Sequence, residues 1–259
     1  YVGMLVKGKY LKGYADAILI SGSDGGTGAS PLSSIKNAGT PWELGLAEAQ
    51  QVLVMNDLRG RVTLKTDGGL KTGRDVVIAA MLGAEQFGFG TAAVVAIGCD
   101  MARQCHLNTC PTGIATQRED LRAKFAGTPE MIVNYFTFMA QEVREILASL
   151  SFRMLDDIIG RTDMLQQVPI PGNQKANTVD LSLILAQVDT SGARPRRRMV
   201  ERNERRGILL DDTMVVDARD AILGVGSTKL SYEINNTDRT VGARLSGEIA
   251  RRYGNAGLP

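Results

Sequence analysis

The sequence predicts an α/β fold assembled from parallel strand–loop–helix units. Short apolar or β-branched runs at 15–20, 61–65 and 85–89 alternate with helical patterns. Glycines gather after each run, at the C-terminal end of the strand, where βα folds place their sites. The last two units lie roughly two dozen residues apart, the spacing of a regular βα repeat. A chain of 259 residues allows one or two domains, and a hydrophobic content of 44% is enough for a sizeable core. Lys and Arg total 30 against 28 Asp and Glu, so a net charge of +2 gives no general attraction to nucleic acid or membrane. No apolar run approaches the roughly 18 residues of a transmembrane helix.

The first strand, 15–20, runs into Ser21-Gly22-Ser23-Asp24-Gly25-Gly26-Thr27-Gly28-Ala29-Ser30-Pro31. Absent Cβ atoms there let backbone approach another group closely, and Pro31 fixes the exit. Residues 41–57 read as a helix, with Pro41 suited to the first turn and Leu44, Ala47, Val52 and Met55 as the apolar face. The second strand, 61–65, ends in Asp67-Gly68-Gly69-Leu70-Lys71-Thr72-Gly73. A helix over 74–82 follows, closed by Gly83 as a left-handed cap. After the third strand, 85–89, Gly88-Phe89-Gly90-Thr91 opens another helix.

In a barrel of eight such units, phosphate commonly sits on the loops after the last two strands. Backbone N–H groups there point at the anion. Asp67, Gly68 and Gly69 with Gly88, Phe89, Gly90 and Thr91 therefore read as a paired phosphate cradle. The plainer reading is two tight βα turns without a ligand. Neither Gly-x-Gly-x-x-Gly nor a Walker A lysine motif is present.

Directly after the third unit come Cys99, Cys105 and Cys110, all the cysteines of the chain, spaced Cys-x5-Cys-x4-Cys and followed by Pro111. Their concentration points to a common ligand. Thiolates are the usual ligands of iron–sulfur clusters, and a three-iron, four-sulfide cluster needs three thiolates and no fourth. Zinc wants four ligands, and His106 adjoins Cys105, so the two rarely reach one small ion together. A disulfide would leave an odd thiol; three buried free thiols are the remaining reading. A redox cluster beside a phosphorylated cofactor suggests electron transfer to a flavin.

A short helix is expected within 118–126. A longer one starts at Thr128-Pro129-Glu130, with Ile132, Phe136, Met139, Val143, Ile146 and Leu150 as its core stripe. Residues 155–160 form a turn of helix, and 168–178 a linker or surface crossing. Residues 180–186 fit either helix or strand. The run 194–206 holds seven arginines and two glutamates, which suits a solvated segment or an ion-pair surface better than nucleic acid. Strands are expected at 214–216 and 232–234, with a turn at 235–239.

Taken together, the segments 20–31, 67–75, 88–91 and 99–111 resemble the synthase region of the glutamate synthase family. The tail from Asn236 through Asp238, Arg239 and Gly242 to Glu248 is similar to the beginning of that family's C-terminal right-handed β-helix. The resemblance implies the C-terminal part of a (β/α)8 TIM-type barrel, followed by the start of a β-helix domain. The expected division is 1–165 for the last βα units with the iron–sulfur loop, 166–207 for an Arg-rich linker, and 208–259 for the β-helix start.

It further implies reductive amination of 2-oxoglutarate by glutamine-derived ammonia to L-glutamate. The cofactors implied are FMN and a 3Fe-4S cluster, and the electron donor a pyridine-nucleotide-dependent small subunit or ferredoxin. Cys99, Cys105 and Cys110 would bind the cluster. Asp67, Gly68, Gly69 and 88–91 would hold FMN, with Gly25, Gly26 and Thr27 near the flavin. No catalytic residue is assignable. Both chain ends read as cuts inside a longer polypeptide and oligomer, so this piece alone is expected to be inactive. The cytoplasm, or a plastid stroma if ferredoxin is the donor, is the expected location. A non-catalytic electron-relay or assembly module and another FMN-dependent barrel oxidoreductase are the alternatives.

Overall fold

A computed structural model describes residues 15–24, 30–201, 209–235, 238 and 240–257. The chain divides into two compact units, Tyr1–Glu201 and Arg202–Pro259.

In the first unit, β1 (Ala17–Ser21), β2 (Thr63–Asp67) and β3 (Gln86–Phe87) form one parallel sheet in the order β1-β2-β3. Parallel neighbours need crossovers. Helices α1 (Leu32–Asn37) and α2 (Trp42–Met55) connect β1 to β2, and α3 (Gly73–Met81) connects β2 to β3. Ile18 and its register partner Leu64 are buried in a core with Leu46, Leu53, Ala79 and Leu82 of the helical layer. Strand side chains alternate between faces, so Leu19 and its partner Lys65 point the other way, and Leu19 is 52% exposed. The α/β class with parallel strands is as expected.

The helix ends share one device. The amide two residues past the C-cap reaches five residues back, and the amide before it reaches three back, as in a Schellman motif. Ala84 N donates to Ala79 O and Gly83 N to Ala80 O, closing α3 as Gly83 led us to expect. At the end of α2 the same bonds run from Leu58 N to Leu53 O and Asp57 N to Val54 O, with Asp57 at φ 54°. The helix therefore stops two residues short of the expected end at residue 57, on a turn that no glycine marks.

The buried face of α2 differs from the expected one. Trp42, Leu46, Ala47, Gln50, Leu53 and Val54 are buried, whereas Leu44 is 43% and Met55 54% exposed. The helix turns its stripe through a polar residue, Gln50, which an apolar pattern skips. Gln50 Oε1 accepts from Arg59 Nε, and Gln50 Nε2 donates to Arg196 O at 2.9 Å. Pro41 stands at the N-cap rather than within the first turn.

Helices α4 (Thr91–Ala96), α5 (Glu119–Arg122), α6 (Pro129–Ser149) and α7 (Ser182–Leu185) complete this unit. Met139 and Leu147 of α6 are buried; Val143, Ile146 and Leu150 are half-buried against α3 and the turn at Leu155–Ile158, and Phe136 packs on Phe89. Residues 166–201 do not behave as a linker. They return over α2 and the turn before β2 through Gln51 Nε2 to Leu183 O at 2.8 Å, Arg194 Nη1 to Met55 O at 2.6 Å and Met199 N to Gly60 O at 2.8 Å. Arg197 pairs with Asp156 and Arg198 with Asp16, each at 3.3 Å. The described part of the arginine run thus caps a helix and forms ion pairs.

The second unit contains α8 (Leu210–Asp217), α9 (Arg219–Ile222) and α10 (Ala243–Tyr253). Its described residues include no strand, so the expected beginning of a β-helix is not seen. Residues 214–216 lie within α8, and 232–234 adopt no regular element. The β-branched pair Val215-Val216 suggested a strand. The tertiary cap that organises the helices was invisible: buried Asp211 accepts from Gly242 N at 2.5 Å and Arg244 N at 3.2 Å, at the start of α10. Tyr253 OH, at its end, donates to Ile222 O at 2.6 Å. Among the described residues no helix is long and apolar enough to cross a membrane.

Candidate functional site

The loops at the C-terminal ends of the three strands pack on one another. Gly22 N donates to Asp67 O at 3.0 Å, and Ser21 Oγ donates to Asp67 Oδ1 at 2.5 Å. Gly68, at φ 99°, lies so close to β1 that a Cβ there would stand 2.4 Å from Gly22 N and 2.6 Å from Gly22 Cα. No side chain fits. A Cβ on Gly88 would meet Asp67 Cβ at 2.8 Å. Helix α6 supports these loops from outside. Tyr135 OH donates to Lys71 O at 2.5 Å, Gly73 N donates to Glu142 Oε2 at 2.6 Å, and the Phe89 ring packs edge-on against Phe136 at 5.2 Å. Thr72 and Asp75 cap α3 reciprocally, which holds the glycine loop after β2 in place.

Gly90 differs from these tight glycines. A Cβ on it would meet no atom within 4 Å. Its backbone borders a cavity of about 320 Å³, lined also by Thr91, Asp24, Arg103 and all three cysteines. The structure thus brings Cys99, Cys105 and Cys110 to one space, beside the loop after β3. Asp67, Gly68, Gly69, Gly88 and Phe89 do not line it. Gly25, Gly26 and Thr27 lie outside the described residues.

Each cysteine is placed by local chemistry. Cys99 ends the Schellman turn of α4: its N–H reaches Val94 O at 3.0 Å, and Gly98 N reaches Val95 O at 3.0 Å with φ 100° at Gly98. Met101 N donates to Cys99 Sγ at 3.4 Å. Cys105 opens a turn of 3₁₀ helix. Asn108, which the sequence reading passed over, closes that turn at φ 57°. Its Oδ1 accepts from Gln117 N at 2.7 Å and Thr116 Oγ1 at 2.9 Å, pinning the loop to the segment before α5. Its left-handed tolerance was a usable signal. Buried Cys110 has Thr112 Oγ1 3.4 Å from its sulfur. That hydroxyl and the backbone N–H groups of Ala115, Thr112 and Ile114 favour the thiolate and bring the Cys110 pKa down to about 7, against the opposing effect of burial.

These residues fit a multi-iron cluster by donor set. Three thiols face one cavity, and one of them is already surrounded by groups that stabilise its charged form. No three His, Cys, Asp or Glu among the described residues are arranged to hold one metal ion; a cluster asks less, because each thiolate binds its own iron. His106 is exposed. For a flavin phosphate, the open backbone at Gly90 and Thr91 is the compatible feature.

A family model described as the conserved region in glutamate synthase matches residues 2–153. The glutamate synthase [NADPH] large chain of Azospirillum brasilense is 55% identical over 247 residues, 95% of this chain and 16% of that one. Ferredoxin-dependent glutamate synthase 2 of Synechocystis sp. is 52% identical over 251 residues, again 95% and 16%. The chain therefore spans about a sixth of the length of the curated relatives it matches. A solved structure of a double-mutant flavocytochrome b2 with pyruvate bound covers 69% of this chain and 37% of its own at 17% identity and a TM-score of 0.41, a likeness too slight to bear on function.

Proposed function

The chain belongs to the glutamate synthase family, and we propose that it carries the flavin-phosphate loops and the iron–sulfur ligands of such an enzyme. In this reading the sheet is the last part of an FMN-binding (β/α)8 barrel, whose other strands belong to a longer chain. The overall reaction is reductive amination of 2-oxoglutarate to L-glutamate with ammonia from glutamine. The electrons come from a small NADPH- or NADH-dependent subunit or from ferredoxin, in the cytoplasm or a plastid stroma. The observation that carries this reading is the shared cavity of Cys99, Cys105, Cys110, Gly90 and Thr91.

When bound, FMN would supply hydride to the substrate imine, and a 3Fe-4S cluster would deliver electrons to FMN one at a time. The residues of this chain bind and position. Cys99, Cys105 and Cys110 would each hold one iron, and the donors around Cys110 favour its thiolate. Gly90 and Thr91 would present backbone N–H groups to the phosphate. Asp67, Gly68, Gly69, Gly88 and Phe89 would hold the flavin from the neighbouring loops, fixed by Ser21 and by Phe136. The family resemblance assigns Gly25, Gly26 and Thr27 to the same side.

An anaerobic optical and EPR spectrum of the longest natural chain containing this segment, with iron, sulfide and flavin quantified, tests the reading. One FMN with an oxidised three-iron signal supports it and directs the assay to 2-oxoglutarate amination. Flavin without iron sinks the cluster assignment. Iron without flavin points to a relay module instead, and neither cofactor makes the loops and thiols structural.

A further inference from the structure

Arg103 carries two unfavourable features at one position. Its backbone lies at φ 53°, in the left-handed region that non-glycine residues seldom adopt. Its Nε is buried without a hydrogen-bond acceptor among the described residues. The only bond its guanidinium makes there is long, from Nη2 to Ser30 O at 3.4 Å, at the end of the glycine-rich loop after β1. Asp24 lines the same cavity, yet no ion pair joins it to Arg103. A buried N–H left unpaired is costly, and one that persists calls for a partner. The cavity that Arg103 borders is the one the three cysteines face.

We propose that Arg103 is a positioning residue whose Nε–H donates to a sulfur of the cluster held by Cys99, Cys105 and Cys110, and that it raises the cluster's reduction potential. This rests on the cluster reading above. Cluster potentials respond to net charge and to hydrogen bonds to the sulfurs. Adding one electron makes the cluster more negative, so a fixed cation with an N–H aimed at sulfur stabilises the reduced form more than the oxidised form. The guanidinium keeps its proton throughout, and only the electron is transferred. The bond to Ser30 O holds the side chain at the junction between the cluster loop and the first βα loop.

The test is EPR-monitored potentiometry on the complete natural enzyme and on its Arg103→Gln and Arg103→Lys variants, with iron and sulfide counted in each. Arg103→Gln is expected to keep its iron and to show at least a tenfold lower ratio of reduced to oxidised cluster at fixed potential, a shift of about 59 mV for one electron. Arg103→Lys, which keeps the charge without the planar Nε donor, should fall between. Full iron with a ratio unchanged within threefold in Arg103→Gln overturns the proposal while leaving the cluster reading intact. A wild-type enzyme without a cluster overturns both. Should both variants lose iron, hyperfine spectroscopy on the wild-type oxidised cluster decides: coupling to ¹⁵N from labelled arginine supports the contact, and its absence overturns it.

Discussion

Arg59 Nη2 donates to Glu85 Oε1 at 2.7 Å, with the arginine side chain fully buried. The guanidinium also reaches Val62 O at 2.6 Å and Gly83 O at 3.0 Å, and its Nε bonds Gln50. Glu85 in turn accepts from Arg198 N at 3.2 Å. Burial pushes the Arg59 pKa down and Glu85 pulls it back up. The network ties α2, the strand starts and the returning segment together at the end of the sheet away from the cysteines. Breaking a buried pair by removing one partner costs about 3–5 kcal/mol, because the other charge stays buried. Glu85→Ala should therefore lower stability by about 3 kcal/mol in urea unfolding; a loss below about 1 kcal/mol would mean that the Arg59 guanidinium is not held uncompensated in the variant, contrary to this account.

Gly68 and Gly90 separate two uses of glycine. Gly68→Ala forces a Cβ against Gly22 at φ 99° and should reduce stability by about 1–3 kcal/mol together with flavin content. Gly90→Ala meets no atom, so its melting temperature should match wild type while its FMN affinity drops. Equal melting losses in both variants would contradict this division.

Replacing any one of Cys99, Cys105 or Cys110 by Ser should abolish the three-iron signal and most bound iron, since metal binding and local folding are coupled. His106→Ala, at an exposed position, should leave iron content unchanged. Full iron in Cys105→Ser would refute the ligand assignment.

Asp211→Ala removes the acceptor of Gly242 N and Arg244 N. A lost cap costs about 1–2 kcal/mol, and the loss should appear locally, as faster amide exchange across 243–253. Unchanged exchange there would show that the cap adds nothing.

Glu43 has its pKa raised above 4.5, first by burial and further by Asp24 and Asp75, with a backbone hydrogen bond opposing. A carboxyl whose folded pKa is raised favours folding while protonated, below its unfolded value, and that advantage disappears as pH rises through the folded pKa. Glu43→Gln should therefore melt higher than wild type at pH 7, with the difference closing below about pH 4.5. A constant difference across the range would assign the effect to packing instead.

What the sequence determined by itself was local. Apolar runs followed by glycines marked the three strands and their loops, because a buried strand and a tight βα turn each demand their own residues over a few positions. Thr128-Pro129-Glu130 marked the start of α6 for the same reason, and the cysteine spacing marked out one loop. The tertiary structure decided whatever depends on partners far apart in the chain. Gln50 is a core residue only because Arg59 and Arg196 meet it. The described part of the arginine run is bound down because Asp16, Asp156 and the carbonyls ending α2 lie beneath it. Val215 and Val216 are helical in a unit whose last helix Asp211 caps from 31 residues away. Arg103 and the three cysteines share one cavity because loops after β1 and α4 converge there. Long-range hydrogen bonds and ion pairs set these outcomes, and they leave no periodic trace in the chain.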